Sequence, residues 1–187
     1  MKAMIRVLML HCGHEGQTRK IMSRIHDRLQ GRAILEMLDL RERIPGDIAG
    51  YQAVIAGASI RYGHFPKVMK RFVTKRAEEL NRLPTAFFGV CLTARKPHKR
   101  TPESNVYLRK LLANILWQPS MSAAFAGALL YPRYRWYDRL AIRMIMRMTG
   151  GETDPTREIE YTDWDQVDAF ADAFASGLPN PKPETQG

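Results

Sequence analysis

Apolar positions along this chain follow two periods that alternate from one segment to the next. "MIRVLML" is a short apolar run ending in "HCGHEGQT", a loop with two glycines. Ile21, Ile25 and Leu29 then recur at the spacing of one buried helix face, and Gly31 stands where that helix should stop. "AILEMLDL" predicts a second strand and "RIPGDIAG" a loop rich in turn residues. "AVIAGAS" predicts a buried third strand followed by the loop "IRYGHFP". Pro66 opens the next helix, with Val68, Phe72 and Leu80 as its inward positions. "TAFFGVCLT" predicts a fourth strand, "ARKPHKRTP" its loop, "ESNVYLRKLLANIL" a third helix and "SMSAAFAGALLY" a fifth strand. The closing helix is "TDWDQVDAFADAFASGL", with Thr162 or Asp163 as its N-cap.

Strands alternating with helices predict an α/β fold with a doubly wound, five-stranded parallel sheet. Ligands in such sheets bind beyond the carboxyl ends of the strands. The loops at those ends are "HCGHEGQT", "IRYGHFP" and "LTARKPHKR". The flavodoxin-like strand order 2-1-3-4-5 gathers all three at one place.

The length of 187 residues suits one domain, expected over residues 1–176, with 177–187 as a flexible tail. The formal net charge of +10 changes the picture more, because it favours an acidic partner: nucleic acid, an anionic membrane surface or an acidic small molecule. The two cysteines, Cys12 and Cys91, lie far apart and have no metal-ligand spacing, which suits a reduced cytosolic protein. No signal peptide is expected at the start. Leu111 to Pro132 carries no charge, but polar residues interrupt it and Pro119 would break a helix, so no transmembrane span is expected.

Candidate chemistry sits in the loops. The segment Cys12 to Thr18 lies between a strand and a helix, where backbone N–H groups and the helix dipole can hold a phosphate. Gly13 and Gly16 permit the tight turn, and Thr18 offers a hydroxyl. The loop matches neither the dinucleotide nor the nucleoside-triphosphate glycine pattern. His11 and His14 read as surface or loop histidines, and no metal site is expected. Cys12 and Cys91 end their strands facing the expected pocket. No serine–histidine–acid set marks a hydrolase, so a cofactor would carry any reaction.

Four segments carry a family resemblance: "GASIRYGH" (Gly57–His64), "ARKPHKRTP" (Ala94–Pro102), "YPRYRWYDR" (Tyr131–Arg139), and "GGETD" with "YTDW". In these the chain resembles the bacterial quinone-dependent protoporphyrinogen IX dehydrogenases, flavodoxin-like FMN enzymes of haem biosynthesis. The basic, aromatic insertion, about residues 131–151 after the last strand, is the most specific part. The resemblance implies a bound FMN, with Cys12, Gly13, His14, Glu15, Gly16, Gln17 and Thr18 around its phosphate. Cys12 and Gly13 stand where the usual flavodoxin pattern has hydroxyl residues. Ser59, Ile60, Arg61, Tyr62 and Gly63 would flank the isoalloxazine ring, with Tyr62 stacking and Gly63 allowing close backbone approach. Cys91, Leu92, Thr93, Ala94 and Arg95 would line its other side. The implied reaction oxidises protoporphyrinogen IX to protoporphyrin IX in three two-electron steps, with menaquinone or ubiquinone taking the electrons. No general base is identified. The implied location is the cytoplasmic face of the inner membrane, peripherally bound.

The insertion also reads on its own terms. Arg135, Arg139, Arg143 and Arg147 form one stripe of a helix, and Leu140, Ile142, Ile145 and Met146 occupy other sides. Three uses compete: docking on an anionic bilayer, pairing of Arg133 and Arg135 with propionates under Trp136 or Tyr137, and a solvated face. Alternatives for the whole protein are an FMN-dependent NAD(P)H:quinone reductase, a flavodoxin-like electron carrier, or a nucleic-acid-binding module. Electron-carrier flavodoxins are usually acidic, and no nucleic-acid reading motif is present, so no nucleic-acid partner is expected.

Overall fold

The computed structural model describes residues 4–180. The expected tail therefore falls mostly outside the described residues. Among them, five parallel strands form one sheet in the order β2-β1-β3-β4-β5. These are β1 (Arg6–Cys12), β2 (Ile34–Asp39), β3 (Ala53–Ser59), β4 (Thr85–Cys91) and β5 (Met121–Ala126). The helices are α1 (Gln17–Leu29), α2 (Lys67–Lys75), α3 (Ala77–Leu80), α4 (Val106–Ala113), α5 (Trp136–Thr149) and α6 (Trp164–Ser176).

The sheet's central strands are apolar at nearly every position because both of their faces are covered. Leu8, Leu10, Val54 and Phe87 face one layer, with Phe72 of α2, Leu108 of α4 and Trp117. Val7, Met9, Ile55 and Phe88 face the other, with Ile21 and Ile25 of α1 and Phe170 of α6. The alternation along each strand is thus between two cores, not between core and water.

Three details differ from expectation. The second helix breaks at Arg76 into α2 and α3, and its buried row is Met69, Phe72 and Val73, with Val68 half-buried. The third helix is shorter, beginning after Asn105, whose side chain accepts from the N–H of Leu108. The expected fifth strand divides at Gly127. Beyond Ala126 its neighbour β4 has ended, so β6 (Ala128–Leu130) pairs antiparallel with β7 (Glu158–Glu160) in a separate two-stranded sheet. The N–H of Tyr161 donates to Gly127 O at 3.0 Å and Thr162 Oγ1 donates to Ala126 O at 2.7 Å, fixing the division.

Candidate active site

The loops after β1, β3 and β4 enclose a cavity of about 470 Å³. His14, Glu15, Gln17 and Thr18 come from the first loop and the start of α1; Ser59, Ile60, Arg61, Tyr62 and Gly63 from the second loop; Cys91, Leu92 and Thr93 from the third. Tyr134 and, from α5, Ile142 and Ile145 close it from the insertion. Strand order alone explains the convergence, since β1, β3 and β4 are adjacent and parallel.

Cys12, Gly13, Gly16, Ala94 and Arg95 are not among these walls. Cys12, expected to face the pocket, instead points into the apolar layer with Leu8 and Leu10, where burial raises its thiol pKa. The two-residue period of β1 puts it there. Cys91 does face the cavity, and its Sγ accepts from Asn105 Nδ2 at 3.4 Å. Ala94 is fully buried. Gly16 lines an adjoining polar cavity with Lys20, Arg133, Glu158 and Glu160.

The first loop suits an anion. Gly16 occupies the N-cap of α1 in a left-handed conformation (φ 87°), with no side-chain cap and no acid in the first turn. The leading N–H groups and the positive dipole end are thus offered outward. Gly13 is required by packing: a Cβ there would stand 2.6 Å from the hydroxyl of buried Thr18. Across the cavity, Ser59 Oγ is buried without a hydrogen-bond partner, a group that a ligand can satisfy. A phosphate seat, an unpaired hydroxyl and mostly apolar walls together fit a flavin mononucleotide.

The second loop is a tight turn. Arg61 and His64 exchange backbone hydrogen bonds at 3.0 and 2.9 Å, with Tyr62 (φ 49°) and Gly63 (φ 77°) between them. Two consecutive left-handed residues make the primed hairpin turn, which glycine accepts freely and tyrosine only at a cost of about 1–2 kcal/mol. Side-chain contacts offset that cost. The Tyr62 hydroxyl donates to Asp138 Oδ1, and Arg61 Nη2 meets Asp138 Oδ2 at 2.6 Å. Arg61 Nη1 lies 3.2 Å from Glu15 Oε1 of the first loop. Burial, then the bond to Asp138, raises the Tyr62 pKa. Asp138 escaped the sequence reading. Its signal was positional: it is the one acid among the arginines of "YPRYRWYDR", four and eight residues before Ile142 and Met146.

Those three residues form the inward row of α5: Asp138 and Met146 are buried and Ile142 half-buried. Almost opposite them on the helix run Trp136, Leu140, Met144 and Met148, exposed by 76, 62, 62 and 80%. The arginine row lies between. Arg139 Nη2 donates to Tyr134 O at 3.4 Å, Arg143 Nε to Thr153 O at 2.9 Å, and Arg135 Nη1 to the Tyr137 hydroxyl at 2.9 Å, while Arg147 is exposed. Arg133 makes a two-point pair with Glu158. Arg95 reaches the far end of α5, with Nη2 donating to Thr149 O at 3.0 Å and to Thr149 Oγ1 at 2.8 Å. No described helix is long and apolar enough to cross a membrane. Among the described residues no cluster of three or more histidine, cysteine or acidic side chains is arranged to hold a metal ion.

His11, expected on the surface or in a loop, is the penultimate residue of β1 and only 4% exposed. Its Nδ1 has no hydrogen-bond partner and lies 3.9 Å from Asp39 Oδ2, a carboxylate already held by Arg41. Burial lowers the His11 pKa, against the opposing pull of Asp39. The unfolded chain therefore takes the proton first, and stability falls as pH drops below about 6.5, the ordinary histidine value. Urea midpoints should decline from pH 7 to pH 5.5, and His11→Gln should flatten that slope. An unchanged slope in the variant would assign the decline elsewhere. Asp39, whose pKa Arg41 lowers, contributes in a separate window, its stabilisation being lost as pH falls below about 3.9.

A flavodoxin-domain family model matches residues 8–156. The protoporphyrinogen IX dehydrogenase (quinone) of Escherichia coli K12 is 46% identical over 172 residues, covering 91% of this chain and 95% of its own. The protein of the same name from Leishmania major is 44% identical over 173 residues, covering 91% of this chain and 75% of its own. Flavodoxin 1 of Bacillus cereus aligns with a TM-score of 0.54 at 14% identity, over 93% of this chain and 99% of its own. A flavodoxin of Streptococcus pneumoniae TIGR4 gives 0.55 at 12% identity, over 92% and 99%. At such identities the last two show the fold alone. With its sheet order, its three-loop cavity and nearly half of its residues shared end to end with these enzymes, the chain belongs to the flavodoxin-domain family and, within it, to the quinone-dependent protoporphyrinogen IX dehydrogenases.

Proposed function

We propose that this protein oxidises protoporphyrinogen IX to protoporphyrin IX with FMN, passing the electrons to a membrane quinone, menaquinone or ubiquinone. The 46% identity to an enzyme of that name, over nearly the whole of both chains, carries the reading. The cavity supports it, with an uncapped helix N-terminus at one side and mostly apolar walls at the other. We read residues 1–176 as one working unit.

FMN, when bound, supplies the two-electron chemistry that links porphyrinogen to quinone. The chain's own residues bind, orient and exclude water. Gly16 and the first turn of α1 would hold the phosphate, with Thr18 beside them. Gly13 contributes by the side chain it lacks, letting Thr18 pack close. Ser59 would satisfy a polar edge of the ring system, Tyr62 would cover a face, and Leu92 and Thr93 would line the opposite wall. Cys12 and Ala94 act behind these walls as packing, and Arg95 by holding the end of α5. Three turnovers account for the reaction: six electrons and six protons leave the macrocycle, and three quinones become three quinols.

The outer row of α5 gives the protein a place to work. A contiguous apolar stripe flanked by arginines, with no protein element over it among the described residues, suits the headgroup region of an anionic bilayer. Both substrates are lipophilic, which supports a peripheral position on a membrane surface; we assign it to the cytoplasmic face of the inner membrane. Exposed Arg135 and Arg147 would meet lipid phosphates, whereas Arg139 and Arg143 already bind backbone carbonyls. Arg133, engaged with Glu158 beside the adjoining cavity, is available to a propionate only if that pair opens.

The test is anaerobic mixing of FMN-loaded protein with protoporphyrinogen IX and, separately, with NADH, followed by quinone. Porphyrinogen should bleach the flavin absorbance and quinone restore it. Bleaching by NADH alone would replace this reading with that of a nicotinamide-dependent quinone reductase.

A further inference from the structure

Asp138 is the one carboxylate that α5 sends inward, and its hydrogen-bond and ion-pair partners both belong to the flavin cavity's second loop. One oxygen accepts from the Tyr62 hydroxyl; the other pairs with Arg61 at 2.6 Å. Arg61 in turn reaches Glu15 at 3.2 Å, so one guanidinium joins the first loop, the second loop and the insertion. Tyr62 and Gly63 are both left-handed, and nothing in the backbone of that turn favours a tyrosine there. Its conformation is set through the side chain. Three residues of the cavity wall, Glu15, Arg61 and Tyr62, are thus positioned by a residue that does not line it.

We propose that Asp138 is a positioning residue for the reaction: it fixes Tyr62 and Arg61 against the flavin and makes the docking of α5 a condition of the flavin site's geometry. This rests on the FMN reading above. The cluster of Glu15, Arg61 and Asp138 carries one net negative charge when both acids are ionised. Replacing Asp138 by a neutral residue removes that charge beside the cofactor, which favours the electron-rich flavin. Asp138→Asn should therefore shift the flavin midpoint potential upward. It should also weaken FMN binding about tenfold, because Arg61 loses an ion pair and Tyr62 its charged acceptor. Tyr62→Phe keeps the charge and deletes only a hydroxyl on a half-exposed side chain, so it should weaken FMN binding with the potential nearly unmoved.

The experiment measures FMN dissociation constants by flavin fluorescence quenching, and midpoint potentials, for wild type, Asp138→Asn, Tyr62→Phe and the double variant. If Asp138 acts through Tyr62, the double variant binds FMN no more weakly than Asp138→Asn. Additive losses, or an Asp138→Asn protein with lower melting temperature but wild-type FMN affinity and potential, would overturn the proposal. Failure of the wild type to bind FMN would instead overturn the reading on which it rests. Should Asp138→Asn not fold, Tyr62→Phe alone decides: wild-type affinity there removes the positioning role.

Discussion

Replacing Leu140, Met144 and Met148 of α5 with serine is expected to lower partition of the FMN-loaded protein onto anionic vesicles by two to three orders of magnitude. All three are exposed by 62% or more and lie on the row facing away from the protein. Partial burial of each in a bilayer interface contributes on the order of 1–1.5 kcal/mol, and three together make about 3–4 kcal/mol, with tenfold in partition for every ~1.4 kcal/mol. Arg135→Glu with Arg147→Glu should add a second, salt-dependent loss, at roughly 1 kcal/mol for each basic residue removed. FMN affinity should stay at the wild-type value, because neither set of side chains lines the cavity. Cosedimentation with vesicles of phosphatidylglycerol and phosphatidylethanolamine reads the outcome. Wild-type binding by the serine variant would remove the outer row from the membrane account.

Gly57→Val is expected to lower the melting temperature by about 6–12 °C, the largest single-site effect on stability foreseen here. Gly57 sits in the middle of the sheet, paired with Phe88 of β4. A Cβ at Gly57 would fall 2.1 Å from Phe88 Cζ and 2.5 Å from Cε2, well inside contact distance. The ring has nowhere to go: it packs against Phe125 at 5.3 Å and Phe170 at 6.2 Å between centres, and is fully buried. Overfilling such a core costs about 3 kcal/mol, and each ~1 kcal/mol moves the melting temperature by about 2–4 °C in a chain of this size. Urea midpoints should fall with an unchanged m-value, and Phe88→Leu should restore part of the loss in the double variant. A midpoint within error of wild type would mean that the sheet relaxes around the added carbons.

Gly57 also shows what patterns can and cannot reveal. It belongs to "GASIRYGH", one of the segments that carries the family resemblance, yet the sequence offers no reason for glycine there. The reason is a phenylalanine ring thirty-one positions later in the chain, brought alongside by strand pairing. Gly63 is different. Its φ of 77° is a local turn requirement, and a glycine in a short loop announces it. The loop between β1 and α1 was legible for the same local reason, since a strand, a glycine-bearing turn and a helix start follow one another without interruption.

Division of the predicted fifth strand was not legible. "SMSAAFAGALLY" is apolar throughout, and no period marks where β5 leaves the sheet. The break is set by the end of β4 and by a three-residue partner, Glu158–Glu160, too short and polar to stand out. Cys12 and His11 illustrate the same limit from the other side. The end of a strand was readable for Cys12 and was missed for His11, and which way each side chain faces depends on a register that only the folded sheet fixes.

By itself the sequence determined the α/β class, the alternation of strands and helices, the three loops that follow β1, β3 and β4, and the basic, greasy helix. Each depends on residues close together in the chain, where periodicity, glycine placement and segment order express backbone physics directly. Only the tertiary structure decided which row of that helix turns inward. Charge and hydropathy marked the arginine stripe and left the apolar residues spread over the helix's other sides. Asp138, Ile142 and Met146 face the protein because the turn at Arg61 and Tyr62 lies beneath them and meets a carboxylate. A buried carboxylate is tolerable only where distant groups satisfy it, and no local pattern can record a partner seventy-six residues away.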